Sequence, residues 1–206
     1  MKFYNSIGPN PRVVKMFMAE KGLDIPRVEI DLMKGENRQA AYGEVNPSGT
    51  TPALALEEGL ILAEITAICE YLEELHPTPP LIGSTPIQRA ETRMWVRRID
   101  LGIAENLANG FRFSQGLAMF QNRVHCIPQA ADDLKAVAQK KLTWLDGLIT
   151  GRQWIVGDRF TLADILLYCF LDFAAQVGQP LNTDNKTIVA WFERVKARPS
   201  AAASNA

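Results

Sequence analysis

The residues best placed for chemistry at a sulfur atom are Ser6 and Asn10, around the start of the first predicted helix. Asn10-Pro11 has the order favoured at a helix start, an N-cap residue followed by proline at the first helical position. The unpaired N–H groups of such a turn form the positive end of the helix dipole, where a thiol ionises more readily. Ser6 and Tyr4, on the preceding strand, add hydroxyl donors. The alternative stays open that Asn10 only caps the helix and Ser6 only turns the chain.

A second candidate is the dipeptide Thr51-Pro52, which opens a predicted strand. Proline lacks the N–H group that a strand interior needs, so this position suits it. A cis bond before Pro52 costs little, and it would expose the main-chain N–H and C=O of Thr51. An extended peptide could then pair with Thr51 as an added strand. An ordinary trans turn is the alternative that the spacing leaves open.

The third candidate lies at a later helix start, in the segment Ala63-Glu64-Ile65-Thr66. The free N–H groups of such a turn can hold a carboxylate with the help of the helix dipole. The side chain of Glu64 can accept a hydrogen bond from an ammonium group. Alternatively, Glu64 is only an acidic residue that stabilises the first turn of its own helix.

The composition of this chain of 206 residues argues against several classes of function. Its 22 basic and 23 acidic residues lack the basic field that nucleic acid or an anionic membrane surface selects. No stretch approaches the roughly 20 apolar residues of a membrane helix. The cysteines Cys69, Cys126 and Cys169 lie far apart, which argues against a disulfide framework and favours a reducing cytoplasm. Only two histidines are present, with no cysteine set around them, so we expect no metal site.

The elements that must position the three candidates alternate over the first 80 residues. Strand-like runs at 2–6 and 27–32 flank a helical run that ends at Gly22. Two further strands, 53–56 and 60–63, surround a short turn, and apolar residues then recur at helical spacing. The predicted order is therefore β-α-β followed by β-β-α.

After His76 a run of prolines ends this alternation, and only helical patterns follow. We predict an N-terminal domain at 1–78, a linker at 79–86 and an all-helical domain at 87–206. One helical pattern in the second half is almost wholly apolar, and Thr161 and Asp164 form a capping box at its start. The small residues of the tail, 201–206, are expected to fray.

Five segments, in this order, resemble the soluble glutathione transferase superfamily, and in particular its bacterial and fungal-type members. They are Tyr4-Asn5-Ser6 to Glu20-Lys21-Gly22-Leu23, Lys34-Gly35-Glu36, Asn46-Pro47-Ser48-Gly49-Thr50-Thr51-Pro52, Leu62-Ala63-Glu64-Ile65-Thr66-Ala67-Ile68, and Val156-Gly157-Asp158 through Thr161-Leu162-Ala163-Asp164. The resemblance covers nearly the whole chain. It implies an α/β, thioredoxin-like N-terminal domain (βαβ-ββα) that binds glutathione, followed by an all-α helical-bundle domain. It also implies a cytoplasmic homodimer.

The resemblance implies roles for individual residues in the binding of glutathione, which is the co-substrate. It implies a cis bond before Pro52 and pairing of the Thr51 main chain with the cysteinyl part of glutathione. Glu64 and the backbone N–H groups that follow it, beginning at Ile65, are expected to hold the γ-glutamyl end. Lys34 is similar in position to basic residues that meet the glycyl carboxylate.

Two departures from the family pattern affect these expectations. Most relatives carry serine after the glutamate, where this chain has Ile65, so a hydroxyl contact is lost while the backbone N–H remains. Relatives that begin like this chain often place Cys, Ser or Thr near the first helix, where this chain has Gly8-Pro9-Asn10-Pro11. We therefore expect Asn10, the helix dipole and either Ser6 or a bound water to stabilise the thiolate of glutathione.

The implied activity is detoxifying transfer of the glutathione thiol to a small apolar electrophile, with peroxide reduction as a side activity. Four residues in the helical domain are expected to contact the electrophile, namely Phe111, Arg112, Phe113 and Ser114. The alternative is that these aromatic residues are only interhelical core. A second hypothesis for the whole chain is a non-catalytic ligand carrier or assembly module built on the same fold.

Overall fold

A computed structural model describes residues 1–205, which form two compact units. The first unit contains Met1–Leu81 together with the C-terminal segment that begins at Pro199, and the second contains Ile82–Arg198. The predicted domains, 1–78 and 87–206, assign that C-terminal segment to the other part of the chain. Within residues 1–205, no helix has both the length and the apolar character needed to cross a membrane.

A mixed four-stranded sheet organises the first unit. Its strands are β1 (Lys2–Asn5), β2 (Arg27–Glu29), β3 (Ala53–Ala55) and β4 (Ile61–Ala63), in the order β2-β1-β3-β4. Strand β1 runs parallel to β2 and antiparallel to β3, and β3 runs antiparallel to β4. A parallel pair needs a long crossover connection, which the first helix supplies. The sheet confirms the predicted thioredoxin-like architecture, although its strands are shorter than predicted.

Three α-helices belong to the first 81 residues, and six belong to the second unit, besides short 3-10 helices at Glu36–Arg38 and Pro128–Ala130 and a π-helical segment at Asp100–Ala104. The first three are α1 (Pro9–Glu20), α2 (Ala40–Gly43) and α3 (Ile65–Leu75). The next six are α4 (Pro86–Ile99), α5 (Glu105–Arg112), α6 (Leu117–Phe120), α7 (Ala131–Leu148), α8 (Leu162–Gln176) and α9 (Lys186–Lys196). The apolar face of α1 and that of α3 supply fully buried core residues, such as Phe17 and Leu72, because their apolar residues recur at helical spacing.

The second unit is built around the apolar helix α8, of which ten consecutive residues from Leu162 are buried. The predicted capping box is present at its start, where Thr161 N donates to Asp164 Oδ2 at 2.9 Å. Asp164 also accepts from Ile155 N at 3.0 Å and from Trp191 Nε1 at 2.8 Å. The carboxylate therefore joins α8 to the preceding loop and to α9, inside a region that water does not reach.

The C-terminal residues form a tenth helix, α10 (Pro199–Ala203), which contacts α1. Ser204 is fully buried, and its Oγ accepts a hydrogen bond from Arg12 Nε at 3.1 Å. The Ser200 hydroxyl donates to the Glu20 carboxylate at the other end of α1. The predicted fraying is wrong for residues 201–205, since small side chains allow close packing on α1; Ala206 lies outside the described residues.

A buried ion pair fixes the segment that leaves α3. Lys21 Nζ lies 2.6 Å from Glu73 Oε2, and both side chains are almost completely buried. Lys21 also donates to the carbonyl oxygens of His76 and Pro79, each at 2.7 Å. The three ammonium protons therefore have three acceptors, so this burial leaves no charge uncompensated. The Thr78–Pro79 peptide in this segment is cis.

Candidate functional site

The candidate residues of the first unit lie at the side of the sheet where β1 and β2 end and β3 begins, which we call the sheet edge. Tyr4 lies opposite Ala53, and Ala53 lies opposite Ala63. Extending these antiparallel registers by two residues brings Ser6, Thr51 and Ile65 to the same edge. Strand β2, which is parallel to β1, ends at this edge as well. The loop that carries Lys34 therefore starts here too.

Ser6 and Thr51 are in direct contact at this edge. Ser6 Oγ lies 2.5 Å from Thr51 Oγ1, and the Ser6 hydroxyl also contacts the carbonyl oxygen of Ile7 at 3.1 Å. Ser6 is only 4% exposed. The Thr51–Pro52 peptide is cis, as the resemblance implied. Ser6 thus links the connection after β1 to the segment that contains Pro52, and its hydroxyl is already engaged within the protein.

The turn before Thr51 is held by three side chains from the preceding segment of the chain, which includes α2. Tyr42 Oη and Asn46 Nδ2 each donate to the carbonyl oxygen of Thr50 at 2.8 Å. Asn37 Nδ2 donates to the carbonyl oxygen of Gly49 at 2.6 Å. Gly49 has φ +62°, and a Cβ atom there would lie 2.9 Å from the main-chain oxygen of Asn37, so the turn requires glycine.

The main chain of Thr51 has no partner within the described part of the protein. Its N–H and C=O make no hydrogen bond with residues 1–205, although the carbonyl one residue earlier accepts two. Strand β3 begins two residues later, at Ala53. An unpaired main-chain donor and acceptor in line with a strand form the edge to which an extended peptide can add.

Helix α1 begins at Pro9, two positions before the predicted start. Gly8, with φ 114°, is the N-cap, and no side chain within residues 1–205 caps the helix. The predicted N-cap role of Asn10 is therefore wrong, because Pro9 with its fixed φ occupies the first helical position instead. Since Pro9 and Pro11 have no N–H, Asn10 supplies the single main-chain donor among the first three helical positions.

Glu64 has the unusual backbone at the start of α3. Its φ is 68°, the sole positive value for a non-glycine residue within residues 1–205. This region disfavours residues with a Cβ atom, and such backbone strain concentrates at functional sites. The side chain of Glu64 is exposed, and no side chain of the described residues caps α3. The free N–H groups that begin at Ile65 and the carboxylate of Glu64 thus lie together at the sheet edge.

Lys34 is paired with an acidic residue of its own loop. Its Nζ lies 3.2 Å from Asp31 Oδ2, and its side chain is 76% exposed. Hydrogen bonds from the Lys34 main chain and, next, its side chain lower the pKa of the Asp31 carboxyl. No contact within residues 1–205 joins Lys34 to Thr51 or Glu64. Its flexible stem leaves it able to reach an anion at this edge.

Phe111 lies at the C-terminal end of α5, in the second unit, and packs between helices. Its ring lies edge-on to that of Phe173 at 5.2 Å and to that of Phe120 at 6.0 Å. These contacts are interhelical, although Phe111 is only half-buried, so both the electrophile role and the core alternative remain predictions. Phe113 follows directly after α5 and is half-buried.

The polar electrophile candidates, Arg112 and Ser114, are engaged with their own helix. Arg112 Nη1 lies 2.9 Å from Asn109 Oδ1. The Ser114 hydroxyl donates to the carbonyl oxygen of Gly110 at 2.5 Å. Of the four electrophile candidates, three make contacts within the helical unit, namely Phe111, Arg112 and Ser114.

Comparison with known proteins agrees with this architecture. The N-terminal domain of glutathione S-transferases matches residues 7–75, and their C-terminal domain matches residues 126–199. Glutathione S-transferase 2 of Saccharomyces cerevisiae is 32% identical over 200 residues, which cover 94% of this chain and 84% of that protein. Maleylacetoacetate isomerase of Pseudomonas aeruginosa is 33% identical over 171 residues, covering 82% and 78%.

A solved structure matches over nearly its whole length. It is that of a glutathione S-transferase domain-containing protein from Marinobacter aquaeolei VT8, with 33% identity and a TM-score of 0.91. The match covers 97% of this chain and 99% of the other. A thioredoxin-like unit followed by a helical unit defines the glutathione transferase class of protein, and this chain belongs to the glutathione S-transferase family.

Proposed function

We propose that this protein is a glutathione transferase, which binds glutathione at the sheet edge around Thr51 and adds its thiolate to a small apolar electrophile. Membership of the family supports glutathione-dependent catalysis. The observation that carries the proposal is the main chain of Thr51, which is unpaired within residues 1–205 and lies in line with β3. It is at the same edge as the starts of α1 and α3, which no side chain of these residues caps.

Each part of glutathione finds a complementary group at this edge. The cysteinyl residue pairs with the N–H and C=O of Thr51 as an added strand. The γ-glutamyl carboxylate takes the N–H groups of α3 that begin at Ile65, and the γ-glutamyl ammonium pairs with the exposed carboxylate of Glu64. Lys34 exchanges Asp31 for the glycyl carboxylate, which its exposure permits.

The sulfur of glutathione lies at the start of α1 in this proposal. Asn10 and the positive end of the helix dipole stabilise the thiolate and lower the pKa of the thiol, so that its proton passes to solvent. Ser6 contributes less, since its hydroxyl is bonded within the protein. The thiolate then forms the new S–C bond, and either a leaving anion departs or solvent protonates the adduct.

The electrophile contacts the segment after α5 in this proposal, with Phe113 as the candidate that has no assigned packing role. Phe111, Arg112 and Ser114 remain candidates for the same contact. We also propose a twofold homodimer, an expectation that rests on the family. A solution mass equal to twice that of the chain, measured by light scattering at micromolar concentration, supports the dimer, and a monomer contradicts it.

A second candidate function is a glutathione-binding carrier without catalysis. It is favoured by the first turn of α1, which offers neither a side-chain cap nor a free hydroxyl or thiol for the sulfur. A glutathione-dependent isomerisation, as the name of one relative suggests, is a variant of the enzyme proposal in which glutathione is regenerated.

Two measurements on the purified protein separate these functions. Calorimetric titration with glutathione measures binding, and an aryl-halide conjugation assay at saturating glutathione measures turnover. Binding with turnover supports the transferase. Binding without conjugation, isomerisation or peroxide reduction leaves the carrier, and absence of binding contradicts both.

A further inference from the structure

Two buried side chains hold the peptide group that presents Thr51. Tyr42 Oη and Asn46 Nδ2 converge on the carbonyl oxygen of Thr50, each at 2.8 Å, and each residue is 4% exposed. Neither residue reaches the main chain of Thr51 itself. We propose that Tyr42 and Asn46 are positioning residues, which aim the Thr51 N–H at the cysteinyl carbonyl of bound glutathione. This inference rests on the proposed function.

The planarity of the peptide group links the two ends of this arrangement. The Thr50 carbonyl and the Thr51 N–H belong to one planar trans peptide unit, so they point in opposite directions. Tyr42, on α2, and Asn46, in the following loop, both donate to the Thr50 oxygen, and together they fix the rotation of the peptide plane. The direction of the Thr51 N–H is thereby set before any ligand arrives, which saves the entropy of ordering it on binding.

The two donors are themselves held in place. The ring of Tyr42 lies edge-on to that of Tyr4 at 6.0 Å, and burial raises the pKa of Tyr42 to about 12, so its hydroxyl stays a donor at neutral pH. Asn46 Oδ1 accepts from Ser48 N at 3.1 Å and from Ser48 Oγ at 2.8 Å. These two contacts with Ser48 orient the Asn46 amide so that its Nδ2 faces the carbonyl oxygen of Thr50.

The opposite side of the same peptide is held by Ser6, through the hydroxyl of Thr51. The Thr51 segment is therefore fixed from both sides, while its N–H and C=O make no hydrogen bond within residues 1–205. The same hydrogen bonds could serve only to hold the loop in its folded shape. A purely structural role would weaken the binding of every ligand equally, whereas a positioning role would weaken only ligands that accept from the Thr51 N–H.

The test compares glutathione with an analogue in which a trans alkene replaces the cysteinyl–glycine amide. The analogue lacks the carbonyl that accepts from the Thr51 N–H. For Tyr42→Phe, which keeps the ring, we expect the Kd of glutathione to rise roughly threefold to tenfold, the worth of one neutral hydrogen bond. The Kd of the analogue should be the same for Tyr42→Phe as for the unsubstituted protein. The kcat measured at saturating glutathione should not change.

Asn46→Ala is the second variant, since it removes the donor to Thr50 without adding a charge; it should show the same selective loss. Tyr71→Phe, the same substitution on α3, is the matched control and should bind both ligands normally. Equal losses for both ligands, or no loss in either variant, contradict the positioning role. Failure of the unsubstituted protein to bind glutathione contradicts the proposed function and the inference together.

Discussion

The hydroxyl oxygens of Ser6 and Thr51 lie 2.5 Å apart, across the junction of β1 and β3. This contact joins the loop that leads into α1 to the segment that presents the docking edge. The single proton of the Ser6 hydroxyl has two acceptors within reach inside the protein, the carbonyl oxygen of Ile7 and the hydroxyl oxygen of Thr51. The serine that the sequence offers as a catalytic group is therefore better suited to holding two loops together.

Replacement of Ser6 by alanine tests this interpretation. We expect kcat/KM to fall by less than about tenfold, and the free energy of unfolding to fall by about 1 kcal/mol, since the lost contacts are hydrogen bonds between neutral groups. The pKa of the bound thiol, read from the pH dependence of kcat/KM, should move little. A loss of a hundredfold or more, together with a large rise in the thiol pKa in a normally folded variant, would show that Ser6 contacts the sulfur directly.

Glu64 offers a test in which stability and binding move in opposite directions. Glycine tolerates the positive φ of this position, so Glu64→Gly should raise the free energy of unfolding by up to about 1 kcal/mol. The same variant should lose affinity for glutathione, because the carboxylate that pairs with the ammonium group is gone. Thermal unfolding and calorimetry measure the two effects.

Glu64→Gln is the matched variant, because it keeps the backbone conformation and removes only the charge. It should weaken glutathione binding roughly tenfold with an unchanged melting temperature. If Glu64→Gly binds glutathione as well as the unsubstituted protein does, the carboxylate has no role in the site.

The predicted pH dependence of stability centres on Asp164. Burial, opposed by hydrogen bonds from Ile155, Trp191 and Thr161, raises the pKa of this carboxyl from 3.8 to about 6. The folded protein then binds more protons than the unfolded chain between these two values. The stability that Asp164 contributes is therefore fully present below pH 4 and is reduced, by roughly 3 kcal/mol, as the pH rises through 6.

Urea unfolding of the protein and of Asp164→Asn at acidic and neutral pH isolates this contribution. The unfolding free energy of the unsubstituted protein minus that of Asp164→Asn should be larger at pH 4.5 than at pH 7.5. Other carboxyl groups cancel in this comparison, because both proteins contain them. A difference that grows with rising pH would mean that the folded state favours the charged carboxylate.

The contact between α1 and the C-terminal segment predicts a stability effect far from the sheet edge. Ser204→Ala removes the acceptor for Arg12 Nε at a fully buried position, so the free energy of unfolding should fall by about 1–3 kcal/mol. Asn205→Ala, at an exposed neighbouring position, serves as the control and should change it by less than about 0.5 kcal/mol. Equal melting temperatures for the two variants would contradict a structural role for this contact.

The features that sequence predicted well are those encoded by local patterns. The polar–apolar alternation around β2, the turn formers before Pro52 and the capping box at Thr161 each involve residues close along the chain. Their chemistry restricts the local backbone whatever the rest of the protein does.

The start of α1 was misassigned because Gly8-Pro9-Asn10-Pro11 contains two acceptable starts. A glycine or an asparagine can be the N-cap, and each is followed by a proline suited to the first helical position. The glycine start wins here, which leaves Asn10 inside the first turn. Neighbouring residues alone do not distinguish these two registers.

The hydrogen bonds from Tyr42 and Asn46 to the Thr50 carbonyl depend on tertiary packing, and no sequence pattern predicts them. Tyr42 lies in a four-residue helix, too short for a periodic signal, and its hydroxyl meets Thr50 only once the loop has folded. Asn46 has a local signal, an asparagine two residues before Ser48, which predicts the turn but not the bond to Thr50. The ion pair between Lys21 and Glu73 likewise joins residues that are distant along the chain.

Hydrogen exchange at the Thr51 amide, followed by NMR during titration with glutathione, tests the central claim most directly. That N–H makes no hydrogen bond with residues 1–205, so it should exchange rapidly without ligand and become protected in proportion to the fraction of glutathione bound. Saturable binding that leaves Thr51 exchange unchanged would show that glutathione docks elsewhere.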